Sequence, residues 1–139
     1  MKNSLMIVKA QIITLILLCC TVICATAAET PIETEMADAG KAVIIFAGSP
    51  LQAMTEIPFR IELKNNAGEM IKDAELALDL TMPFMPMPPN NPKVVWQDSA
   101  YRGTAIFTMA GAWQVNVEVN RPEAETEKII FEIEMVIMK

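Results

Sequence analysis

Residues 113–120, WQVNVEVN, decide the fold. Trp113, Val115, Val117 and Val119 fall on one side of an extended chain, and Gln114, Asn116, Glu118 and Asn120 fall on the other. Successive side chains of a strand point to opposite faces, so this stretch predicts a strand with one face in a core and one in water. Arg121-Pro122-Glu123 ends it.

The same alternation spreads outward in both directions. Lys128–Met138 places Ile129, Phe131, Ile133, Met135 and Ile137 against Glu132 and Glu134. Tyr101–Met109 alternates through Tyr101, Gly103, Ala105 and Phe107, and Lys93–Gln97 is a shorter run. Upstream, Met70–Thr81 sets Ala74, Leu76, Leu78 and Leu80 against Asp73, Glu75 and Asp79. Thr55–Lys64 carries Ile57, Phe59, Ile61 and Leu63 on one face, and Lys41–Ala47 is a β-branched run closed by Gly48-Ser49-Pro50. No window has helical spacing. About seven strands, joined by turn residues and polar on one face, predict an all-β fold over residues 41–139: an immunoglobulin-like antiparallel β-sandwich. Before it, residues 29–40 are acidic, contain Pro31 and lack periodicity, which predicts a flexible spacer.

The first 28 residues read as a targeting segment. Lys2 and Lys9 form a basic start, Ile12 to Ala25 is almost wholly apolar, and Ala25, Ala27 and Ala28 supply a small-residue cleavage pattern. Cleavage as a signal peptide, retention as a membrane anchor over residues 10–28, and lipidation are the three alternatives. Each places the domain outside the cytoplasm, in the periplasm or cell envelope. All three cysteines, Cys19, Cys20 and Cys24, lie in this segment, so the domain has no disulfide framework, thiolate metal site or cysteine nucleophile. Loss of Lys2 and Lys9 takes the formal charge from −6 to −8, which disfavours nucleic acid and anionic lipid as partners. The sequence has no histidine, which removes imidazole metal sites and histidine-dependent nucleophilic catalysis. The carboxylates Asp73, Glu75, Asp79, Glu132 and Glu134 are accounted for as solvated strand faces. No enzymatic chemistry is expected.

One segment stands apart: TMPFMPMPPNNP, residues 81–92, with Met82, Met85 and Met87 among prolines and no charge. Three roles fit it. Its side chains could plug the open end of the sandwich. Phe84, Met85 and Met87 could form an apolar patch that docks a membrane or periplasmic protein. Or the thioethers could bind Cu(I), a soft cation that needs no deprotonated ligand. The prolines predict polyproline II, which puts Met82 and Met85 on one face about 9 Å apart and turns Met87 away. A metal site would then draw on Met109, which ends a strand just before Gly111. Gly111 itself predicts a turn, and Tyr101, Phe107 and Trp113 are expected in structural roles.

The order MPFMPMPPN, then YRGTAIFTMAGAWQVNVEV, resembles the YtkA-like (FixH-related) family of extracytoplasmic domains. The matching residues are Met82, Pro83, Met85, Met87, Tyr101, Gly103, Phe107, Met109, Gly111 and Trp113. The resemblance implies a small exported or membrane-anchored β-sandwich, of a kind found beside metal-handling, copper-oxidase assembly or efflux proteins. Many members carry histidine near the Met-rich segment. This chain has none, which leaves Met82, Met85, Met87 and Met109 as the candidate ligands of a soft metal.

Overall fold

The computed structural model describes residues 28–139, so the expectation of a cleaved signal or anchor lies outside the described residues apart from Ala28. Eight strands follow one another: β1 (Glu29–Glu35), β2 (Lys41–Ala47), β3 (Glu56–Lys64), β4 (Glu75–Thr81), β5 (Val95–Gln97), β6 (Ala100–Ile106), β7 (Gly111–Asn120) and β8 (Glu127–Val136). They form two antiparallel sheets, in the orders β1-β2-β3-β6-β5 and β4-β7-β8. The sandwich architecture holds, with eight strands where seven were expected.

The core is built by the period-2 positions. Ile44, Phe46, Phe59, Ile61 and Leu63 face inward from the larger sheet, and Leu78, Leu80, Val115, Val117 and Phe131 from the smaller. Four aromatic rings stack edge-on through the middle. Phe46 lies 6.0 Å from Phe59 and 5.8 Å from Phe107, and Phe107 lies 5.4 Å from Trp113, between ring centroids. Such tilted pairs add about 0.5–1.5 kcal/mol beyond the area they bury. Gly103 is required here, because a Cβ on it would stand 2.6 Å from the Phe59 ring and 2.7 Å from the Lys93 carbonyl oxygen.

Two expectations are corrected. Residues 29–35 are not spacer: β1 pairs with β2 at every residue from Glu29↔Ala47 to Glu35↔Lys41. An edge strand needs little apolar signal, because one neighbour satisfies its backbone, and Pro31 is tolerated where no second strand asks for its N–H. Ile32 alone packs against the core from it. At the other correction, Met135 is exposed and Val136 buried, the reverse of a strict alternation. Gly111 pairs with Val136 but Trp113 with Ile133, so β8 carries one extra residue in a bulge, which turns Met135 outward.

The free edge of β4 is covered by the chain leaving the Pro-rich segment. Leu80 N–H donates to the Asn90 carbonyl (2.9 Å), Asn91 Nδ2 to the Leu78 carbonyl (2.7 Å), and Asn90 N–H to Asp79 Oδ1 (3.1 Å). Asn90-Asn91 therefore closes an edge that would otherwise recruit another chain.

Candidate functional site

Because the strands alternate in direction, the connections sort to two ends. At one end lie Ala28, the loop 48–55, the segment after Thr81, the loop 107–110 and the residues after β8. Backbone bonds lock these together: Gly48 N–H donates to the Ala28 carbonyl (2.7 Å), Met54 N–H to the Phe107 carbonyl (2.7 Å) and Ala53 N–H to the Ile137 carbonyl (2.8 Å).

The Met-rich segment starts as the end of β4. Met82 continues the inward alternation of Leu76, Leu78 and Leu80, and it packs against the core. The chain then reverses. Met85 N–H reaches the Met82 carbonyl at 3.4 Å, and the two residues form an antiparallel bridge around a Pro83-Phe84 tip. The expected polyproline II run does not form across Met82–Met85. Proline at the second turn position presets the φ that a β-turn needs, so Pro83 favours the reversal. Bridge partners project their side chains to the same side with Cβ atoms about 4.5–5.5 Å apart. Met82 and Met85 are thus neighbours instead of being separated by a full polyproline turn. Phe84 at the tip is 94% exposed, while Met87 is half-buried and packs on the core.

The loop that carries Met109 approaches this turn at Gly111. Gly111, at φ 127°, lies so close that a Cβ there would stand 2.9 Å from the Met82 Cε. The Trp113 indole Nε1–H donates to the Met109 carbonyl at 3.0 Å, fixing the loop above the buried ring. Met109 itself is 42% exposed. The structure therefore gathers Met82, Met85 and Met109 at one end and turns Met87 toward the core.

A further methionine joins them that the sequence did not single out. Met54 is 69% exposed and sits in the left-handed region at φ 58°. That conformation costs a side-chain-bearing residue about 1–2 kcal/mol, which glycine would avoid. Only the cross-connection to Phe107 brings it here, so no local pattern could have found it.

The opposite end holds Tyr101. Its hydroxyl donates to the Ile71 carbonyl (2.9 Å) and accepts from Ala74 N–H (3.0 Å), tying the β3–β4 connection to β6. Burial pushes the Tyr101 phenol above its usual pKa. On the larger sheet the Arg60 guanidinium forks onto Glu29 at 2.8 and 3.0 Å, which holds the Glu29 carboxyl below the usual range and raises Arg60. Phe107 and Trp113 are fully buried.

Among the described residues, no group of three or more His, Cys, Asp or Glu could hold a metal ion. Two concavities of about 450 Å³ are present, one on the outer face of the smaller sheet and one between β1 and β8 that takes in Ser49, Leu51 and Met135. The first is lined by Asp79, Asn116, Glu118 and Lys128, the last two paired with each other at 3.4 Å.

No curated protein matches this chain. Among solved structures, a copper-bound variant of the P19 protein from Campylobacter jejuni is similar to it. The TM-score is 0.55 at 11% identity, over 78% of this chain and 98% of that one, a likeness that shows the shared fold. The profile of the YtkA-like family matches residues 34–118, a span that runs from within β1 to within β7 and contains the Pro-Met turn, the Gly103 crossing and the Trp113 strand. By that match, the chain belongs to the YtkA-like family.

Proposed function

We propose that this chain is a non-enzymatic extracytoplasmic accessory domain that binds Cu(I) through thioethers at its methionine end. The Met82↔Met85 bridge carries the reading. Two thioether-bearing residues are bridge partners there, next to the loop that bears Met109. Thioethers suit Cu(I) because they are soft, neutral and always unprotonated, so the donor set fits this ion and not a hard cation. Met82, Met85 and Met109 would hold it, and Met87 would serve as packing beneath them. The copper in the P19 structure belongs to that protein; on a shared fold it supports the choice of metal here.

The test is a Cu(I) titration against a competing chelator. Micromolar or tighter binding, weakened about tenfold or more by Met85→Leu or Met109→Leu, is the expected outcome. Binding that is weaker than this, or unchanged in both variants, rejects the site. A Met87→Leu variant should bind nearly as the parent does.

A second reading is favoured by Phe84, which is 94% exposed on a turn stiffened by Pro83. Here Phe84 and Met85 dock a membrane or periplasmic protein without metal. Capture of one defined membrane protein by the parent chain but not by Phe84→Ala, in the presence of a copper chelator, would select this reading.

A further inference from the structure

The two ends differ in more than methionine content. Residues 48–55, 82–94, 107–110 and 137–139, the connections at the methionine end, contain no acidic side chain and only two charged ones, Lys93 and Lys139. Each connection at the opposite end carries at least one carboxylate: Asp38, Asp73, Asp98 and Glu123 among them. The methionine end also displays large apolar side chains where a soluble domain would place polar ones. Phe84, Met54, Met85, Met109 and Met138 are all exposed there, Met54 from a left-handed backbone position that favours glycine. The carboxylates nearest this end, Glu29, Glu56, Glu132 and Glu134, stand on strands and not on the loops, and Glu132 and Glu134 share a shallow concavity with Pro83 and Phe84.

The chain itself says what this end faces. Ala28, where residues 10–28 join the domain, is bonded to Gly48 at this same end. Residues 10–28 contain no charged residue and are long enough, at the lower limit, to enter a bilayer. An apolar segment leaving from the methionine end would bring that face, and not the acidic one, to the lipid surface.

We infer that the methionine end is a lipid-facing surface, which seats Phe84, Met54 and Met138 at the headgroup–acyl boundary of a zwitterionic bilayer. Aromatic and long apolar side chains settle there, whereas the carboxylates of the other end would be repelled by anionic lipid and gain nothing from a neutral one. The inference does not depend on copper. Met82 packs against the core beneath the turn, and Phe84 forms its outward tip.

The experiment places a tryptophan at either end of the full chain: Phe84→Trp or Ala124→Trp, each with Trp96→Phe. Both are reconstituted in phosphatidylcholine vesicles with and without bromine on the acyl chains, with copper chelated throughout. The expected result is that both float with the vesicles, and that bromine quenches the Phe84→Trp protein roughly twofold or more beyond the Ala124→Trp protein. Met138→Trp, at a second point of the same end, should follow Phe84→Trp. Equal quenching at the two ends, or a chain that does not float, overturns the inference. So does a Phe84→Trp signal untouched by brominated lipid but altered by adding membrane proteins or by self-association of the chain, which would give the surface to a protein. Because chelator is present in every arm, either outcome leaves the copper titration to stand or fall alone.

Discussion

The two ends of the sandwich are built from the same strands yet are finished in opposite ways. At the acidic end, polar groups are spent on order: the Tyr101 hydroxyl closes on Ile71 and Ala74, and Asn65 Oδ1 accepts from Ala67 N–H and Glu69 N–H. At the methionine end, backbone bonds of Gly48, Ala53 and Met54 join the loops, helped by the side chains of Thr30, Asn90 and Trp113, while the side chains of the methionines and Phe84 are left out of the loop-holding bonds. Side chains engaged in holding a loop are unavailable for a ligand. The comparison therefore says that substitutions at the acidic end should be read out as stability, and those at the methionine end as binding.

The largest effect tests where that division stops. Trp113 lies beneath the methionine end but belongs to the core, and Trp113→Ala should cost roughly 3–5 kcal/mol in urea unfolding. A cost under about 1 kcal/mol would mean that the ring serves the loop above it more than the core. Next is the acidic end. Tyr101→Phe leaves the Ile71 carbonyl and Ala74 N–H without their partner and should cost about 1–3 kcal/mol. It carries a pH signature as well. The Tyr101 pKa is raised in the folded state, so its contribution is intact below the ordinary tyrosine range and is lost as pH rises through the folded value. Alkaline loss of stability should accordingly be smaller in Tyr101→Phe than in the parent.

Met54→Gly sharpens the contrast from the other side. Removing a left-handed methionine should leave stability unchanged or raise it by up to about 1 kcal/mol, and marked destabilisation would show that Met54 supports the fold. The smallest effect belongs to Glu29. Its carboxyl is held low by Arg60, so the ion pair contributes above the ordinary carboxylate range and is lost as pH falls through the lowered value. The pair is exposed, and Glu29→Gln should only slightly flatten the acid limb of the stability profile, an effect that salt reduces.

Much of this was legible in particular residues. The alternation of Val115, Val117 and Val119 gave a strand because burial on one face is a period-2 signal that survives any tertiary context. β1 was illegible for the converse reason: an edge strand takes its order from backbone pairing with β2, which leaves no mark on side-chain pattern. The bulge in β8 was hidden too, since the run to Ile137 alternates in sequence and only the pairing with Gly111 and Trp113 shows the extra residue. In the Pro-rich segment, composition pointed to an extended helix, but one proline at a turn position outweighed the average preference of the others.

The sequence by itself determined the class of the protein and its available chemistry. Composition fixes which ligands exist, and here cysteine and histidine are absent from residues 29–139 while methionine is abundant. Periodicity fixes which faces are buried, since water sorts side chains residue by residue. Which methionines meet was decided only by the tertiary structure. Met54, Met82 and Met109 lie far apart in the chain, and they share one end because antiparallel strands return every second connection to it. That same geometry put the carboxylate-bearing turns at the other end, and so made one molecule with two unlike faces.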